Sequence, residues 1–162
     1  ALGEVALVQI EYEVKPGKIV KVLSLDETGE IEKSWMSVFA KNKQGFNTSA
    51  FKWHIFSGGG YPSVNGEEAR AEYFRQSAAT FVVLPNEKGC AVITDRLPEF
   101  CNLSDYYVFP PNMAWVMAFT HEEGWLGPYF AKHPKYTMLC EENTRLIEKE
   151  RKKAEAKQKG WM

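Results

Sequence analysis

Asp105-Tyr106-Tyr107-Val108-Phe109-Pro110-Pro111-Asn112-Met113-Ala114-Trp115-Val116-Met117-Ala118-Phe119-Thr120 is the stretch that decides the fold. Two runs rich in aromatic and β-branched residues flank Pro-Pro-Asn, a set of turn formers. So short a connection joins antiparallel neighbours, because a parallel return needs a crossover of a dozen residues or more. The same pattern recurs upstream. Phe81 to Leu84 and Cys90 to Thr94 flank Pro85-Asn86-Glu87-Lys88-Gly89, which predicts another hairpin. The sheet is therefore expected to be mostly antiparallel.

Nearer the N-terminus, Val8-Gln9-Ile10-Glu11-Tyr12-Glu13-Val14 alternates apolar and polar residues, the mark of a strand with one buried face. Lys15-Pro16-Gly17-Lys18 supplies a turn, with Pro setting φ and Gly accepting a positive φ. Lys18 to Leu25 then reads as the second strand of a hairpin. Ile31, Trp35, Val38 and Phe39 recur at helical spacing and predict a helix over 30–41, capped by Thr28 or Asp26, with Trp35 as a core anchor. Asn42 to Ser49 reads as a loop and Ala50 to Phe56 as a strand. Asn65-Gly66-Glu67-Glu68 opens a second helix with Asn65 as its cap, and Ala69, Tyr73 and Phe74 form its inner face.

The C-terminal stretch differs in kind. Glu141/Arg145, Glu148/Lys152 and Glu155/Lys159 are acid-to-base pairs at helical spacing and predict one long helix over 141–159. Leu139, Cys140, Leu146 and Ile147 can anchor its first half. Its second half is almost devoid of apolar residues and stands in solvent or on a partner. The fold class is thus α+β: a mostly antiparallel sheet with two packed helices in a domain over 1–138, and a protruding charged helix over 139–162.

Composition sets limits. The 162 residues suit one domain burying about 70% of its unfolded surface. Twenty basic against 21 acidic side chains leave a net charge of −1, so no global field draws the chain to nucleic acid or anionic lipid. Met113 to Phe119 is the longest apolar run, far short of a membrane span. Cys90, Cys101 and Cys140 are odd in number and lack CxxC spacing, which argues against a disulfide framework or a cysteine zinc site. A cytoplasmic or other reducing compartment is expected. No secretory pattern is present, and an initial Ala1 leaves a processed organellar protein open.

Two of the three histidines fall in unusual strings. One is Phe51-Lys52-Trp53-His54-Ile55-Phe56-Ser57. The other is Thr120-His121-Glu122-Glu123, followed by Gly127-Pro128-Tyr129-Phe130. Each puts an imidazole beside large aromatics at or near the end of an apolar run, where partial desolvation moves its pKa. His54, His121 and Glu122 are the candidate catalytic residues. Trp53, Ser57, Tyr129 and Trp161 are candidate binding residues. Both histidines are expected on strands, and they work together only if they meet in space. Ser57, His54 and Glu122 can be drawn as nucleophile, base and orienting acid, but no Gly-x-Ser-x-Gly elbow supports that. A zinc set of His54, His121, His133 and a carboxylate lacks helical His-Glu-x-x-His spacing, and Gly58-Gly59-Gly60 lacks the Gly-Lys-Ser/Thr of a phosphate loop. No metal and no cofactor are expected. The other reading of both strings is structural, as histidines placed at strand ends.

Trp35 with Phe39-Ala40, Trp53-His54-Ile55-Phe56-Ser57, Gly66-Glu67-Glu68-Ala69, and Trp115 with Thr120-His121-Glu122 and Gly127-Pro128-Tyr129-Phe130 together resemble a family of small uncharacterised bacterial proteins. The resemblance covers residues 20–135 approximately. It implies a compact cytoplasmic domain in which the aromatic–histidine strings matter, and it carries no activity. Two functions follow from the whole sequence. One is a non-catalytic protein-interaction module (adaptor, assembly subunit or immunity-type inhibitor) that takes a protein partner through the C-terminal helix. The alternative is a small enzyme or ligand-binding domain using a His54/His121 pocket. Neither sets an oligomeric state.

Overall fold

The computed structural model describes residues 12–41, 48, 50–122 and 127–160. In chain order the elements are β1 (Val14–Lys15), β2 (Ile19–Val22), α1 (Leu25–Phe39), α2 (His54–Ser57), β3 (Val64–Asn65), α3 (Gly66–Phe74), β4 (Phe81–Pro85), β5 (Val92–Thr94), β6 (Phe100–Cys101), β7 (Tyr106–Phe109), β8 (Trp115–Phe119), β9 (Tyr129–Lys132) and α4 (Tyr136–Gln158). Seven strands form one antiparallel sheet in the order β2-β5-β4-β7-β8-β9-β3, and β1 pairs with β6 in a separate ribbon. Both tight-turn pairs, β4–β5 and β7–β8, form as their sequence predicts.

The central strands are apolar at nearly every position because both faces of the sheet are covered. Strand alternation sends Val82, Leu84, Tyr107, Phe109, Val116 and Ala118 to one face, where Trp35 and Phe39 of α1 and Ile55 and Phe56 of α2 meet them. The other face carries Val83, Val108, Trp115 and Met117, covered by Ala69 and Tyr73 of α3 and by Val14 and Cys101 of the ribbon. This double core is where most of the aromatic content goes. Trp35, Trp53 and Trp115 are all buried, and Trp35 alone meets Phe39, Phe56 and Tyr107 at ring separations of 5.3, 5.8 and 5.3 Å.

Helix α1 starts earlier than its apolar spacing suggests. Ser24, rather than Thr28 or Asp26, caps it: Ser24 Oγ accepts from Glu27 N and Glu27 Oε1 accepts from Ser24 N, each at 3.0 Å. Thr28 lies inside the first turn, where its Oγ1 accepts from Ala91 N at 3.0 Å. Asn65 makes no side-chain cap bond on α3. Helix α4 begins at Tyr136, ahead of the expected 141, and the Asn112 side chain donates to Leu139 O at 3.1 Å, fastening its start to the β7–β8 turn. No described helix is long and apolar enough to cross a membrane.

Two local expectations are corrected. Residues 8–11 of the N-terminal hairpin lie outside the described residues, and the described part of that hairpin does not pair with itself. The Pro16–Gly17 turn forms, with Gly17 at φ +84°, but β1 goes to β6 and β2 to β5. Alternation specifies a half-buried strand and not its partner. Here the 95–99 stretch holds both sides of the turn: Asp95 Oδ1 accepts from Lys18 N at 2.9 Å, and Glu99 N donates to Lys15 O at 2.7 Å.

Ala50 to Phe56 is not a strand. It is a turn leading into the short helix α2. Its backbone is satisfied by side chains instead of a neighbouring strand. Asn86 Oδ1 accepts from Lys52 N at 3.1 Å, Asn86 Nδ2 donates to Ala50 O at 2.8 Å, and the Tyr107 hydroxyl accepts from Trp53 N at 3.1 Å while donating to Asn86 Oδ1 at 2.6 Å. Lys52 is itself buried, and its ammonium meets Glu32 of α1 at 2.6 Å. The run is apolar enough for either structure, and the tertiary partners decide.

Asn86→Ala removes the two side-chain bonds to Lys52 N and Ala50 O that replace strand pairing for this segment, and the bond that orients the Tyr107 hydroxyl. It is expected to lower stability by about 2 kcal/mol in urea unfolding and to speed amide exchange at Lys52 and Trp53. A loss under about 0.5 kcal/mol with unchanged exchange would show that Asn86 does not hold the segment.

Candidate functional site

The β7–β8 register of Tyr106 against Phe119 brings Asp105, just before β7, alongside the turn that follows β8. That turn carries His121. Asp105 lies on the α2 side of the sheet and its side chain is only 7% exposed. A carboxylate so placed needs several donors, because an unpaired buried charge is strongly destabilising. Oδ1 accepts from Trp53 Nε1 at 2.9 Å and from His121 N at 3.0 Å. His121 Nδ1 lies 2.9 Å from Oδ1 and 3.0 Å from Oδ2. One carboxylate thus joins the segment before α2, the start of β7 and the end of β8.

The hydrogen bond to Asp105 raises the His121 pKa above its ordinary 6.5; desolvation opposes this, and the charges of Asp105 and Glu122 add to it. The imidazole remains 42% exposed, so water screens the interaction. With Nδ1 committed to Asp105, Nε2 is left on the exposed side of the ring, 3.7 Å from Glu122 Oε2. As an imidazolium, His121 donates from Nε2. After losing that proton it keeps Nδ1–H on Asp105 and accepts at Nε2.

Aromatic rings frame the imidazole. Phe51 lies against His121 with centroids 5.1 Å apart, and Trp53 is 6.1 Å away. His54 meets the same two rings from another side, edge-on to Trp53 at 4.6 Å and to Phe51 at 5.5 Å. The two histidines therefore flank one aromatic pair. They do so from the helical turn α2 and from the turn after β8, rather than from two strands. Tyr129 stacks on Trp53 at 6.2 Å, burial pushes its phenol pKa up, and it shares a hydrogen bond with Ser57. The Ser57 hydroxyl also donates to the His54 carbonyl at 3.4 Å. Gly127 makes this approach possible: at φ +98°, a Cβ there would come within 3.1 Å of both Thr120 and Tyr129.

Six residues singled out in the sequence, namely Trp53, His54, Ser57, His121, Glu122 and Tyr129, thus belong to one neighbourhood. Trp161 lies outside the described residues. The acid that orients His121 is Asp105, and Glu122 faces the opposite ring nitrogen. From sequence, Asp105 reads only as the first residue of the strand run 105–109, with no site role. Its one signal was an acid placed directly before the apolar run Tyr106-Tyr107-Val108-Phe109. Among the described residues no group of three His, Cys, Asp or Glu is arranged to hold a metal. His133 is elsewhere, accepting from Lys135 N at 2.9 Å through Nδ1. Cys101 and Cys140 have thiol pKa values pushed up by burial, contrary to what a reactive thiolate needs.

The chain belongs to the family described as Domain of unknown function (DUF4275), which it matches over residues 27–130. That span contains Asp105 and all six converging residues. Comparison with curated proteins and with solved structures finds no match.

A raised histidine pKa stabilises the fold fully below its unfolded value of about 6.5, and that contribution is lost as pH rises through the folded midpoint. The stability gap between wild type and His121→Gln is therefore expected to be larger at pH 6 than at pH 9 in urea melts. Asp105→Asn is expected to lower the His121 midpoint in an NMR titration. An equal gap at both pH values, with an unmoved midpoint, would contradict the assigned pairing.

Proposed function

We propose that this DUF4275 domain binds a small polar ligand at the Asp105–His121 pair and exchanges a proton with it through His121 Nε2. The observation that carries this reading is the contact of His121 Nδ1 with both oxygens of a buried carboxylate, at 2.9 and 3.0 Å. Fastening the three segments together needs only Trp53 Nε1 and His121 N on Asp105. The imidazole adds a second feature: a ring held in one orientation with its other nitrogen outward. Proton transfer suits an imidazole, whose ordinary pKa of 6.5 lies near neutrality and which Asp105 raises here. In this reading His121 is the acid–base group and Asp105 and Trp53 position it. Phe51 forms an apolar wall, and Glu122 tunes the charge at Nε2. His54, Ser57 and Tyr129 line the same neighbourhood and contribute to ligand recognition.

A fragment screen by NMR against the full chain, read at the His121 Cε1–H and the Phe51 ring, tests this. Fragments that bear a carbonyl, carboxylate or amide are expected to shift both signals, and His121→Gln is expected to weaken them about tenfold while leaving the remaining spectrum folded. Fragments that bind equally well to His121→Gln, or none that reach His121, would end this reading.

The second reading is a protein-interaction module working through α4. It is supported by the solvated second half of that helix and by Met138 and Leu146, which are 50% and 46% exposed. Deleting residues 148–162 is expected to leave the thermal midpoint of the domain nearly unchanged while abolishing partner capture. Undiminished capture by the truncated chain would contradict it.

A further inference from the structure

Where β9 runs beside the short edge strand β3, the chain leaves a cleft of about 570 Å³. None of its lining residues belongs to the His121 neighbourhood, so it stands apart from the function proposed above. Its volume falls within the range of small-molecule sites, roughly 300–1,000 Å³. Pro62, Val64, Ala131 and Pro134 supply apolar walls, and Glu72 and Lys132 are its charged groups. The walls are held in place. Val64 pairs with Phe130 across the β3–β9 ladder, and the Tyr61 hydroxyl donates to Lys132 O, closing the chain over β9. Pro62 and Pro134 further restrict the backbone of the lining.

The two charges are not equivalent. Glu72 is neutralised by Arg75 at 2.8 Å. The Lys132 ammonium lies over the Tyr136 ring, 4.7 Å from its centroid, and has no carboxylate partner among the described residues. The polar end of the cleft is therefore cationic. A single ammonium suits one negative charge, since it lacks the guanidinium fork that recognises phosphate bidentately. We propose that this cleft binds a small carboxylic acid with an aryl or branched-alkyl body. The carboxylate sits on Lys132 Nζ and the hydrocarbon on Val64, Pro62 and Pro134. The Tyr136 ring keeps the ammonium at the mouth, so less side-chain freedom is lost on binding.

Titration of the full chain with 4-phenylbutyrate and with its uncharged amide, followed by backbone amide shifts, tests this. Saturable shifts are expected at Val64, Ala131 and Lys132, with the acid binding about tenfold more tightly than the amide. Lys132→Gln, at an exposed position, is expected to abolish that difference while leaving amide binding unchanged. Equal affinity for acid and amide in the wild type would overturn the proposal. So would shifts centred on His121 instead of β9, or no saturable shift up to the solubility limit of the probes.

Discussion

The buried carboxylate of Asp105 is the constraint on which the His121 end of this domain depends. An acid that is 7% exposed in an otherwise apolar layer requires donors, and it draws them from three separate parts of the chain. Trp53 arrives from the turn before α2, and the His121 amide and ring arrive from the end of β8. The same demand explains why a run that could have been a strand is a turn and a helix. Trp53 must present its indole N–H to Asp105 while its backbone N–H goes to Tyr107. A strand at the sheet edge would have committed that amide to a ladder.

The double-faced sheet gives this arrangement its rigidity. Strands β4, β7 and β8 are covered on both sides, so small shifts are resisted by close packing in two directions. The Asp105–His121 pair stands at the ends of two such strands. Polar groups can reach water there while the register beneath them is set by the core. The β9 cleft lies at the opposite kind of position, beside a two-residue edge strand where the sheet thins out. The domain thus offers two distinct environments, a half-exposed imidazole among aromatic rings and an apolar cleft with one ammonium.

Much of the fold could be read from the chain, because the relevant signals are local. The turns at Pro85–Gly89 and Pro110–Asn112 dictate the pairing of their flanking strands, and the spacing of Trp35 and Phe39 dictates a helix with one buried face. The partner of β1 was not legible, since alternation describes a face and carries no address. The strand expected over Ala50–Phe56 does not form because its backbone partners are side chains of Asn86 and Tyr107, distant in sequence. For the candidate site, composition and position pointed to the histidines and their aromatic neighbours. Asp105 escaped notice because its role exists only once the β7–β8 register places it beside His121. A single acid before an apolar run carries no mark of what it will face.

Asp105 holds His121 with Nδ1 inward, and Nε2 faces Glu122. Nitrogen-15 NMR of the imidazole, at a pH above its titration midpoint, measures this directly through the shifts and couplings of the two ring nitrogens. The neutral ring is expected in the Nδ1–H form, with Nε2 unprotonated. An Nε2–H ring, or an even mixture of the two tautomers, would contradict it.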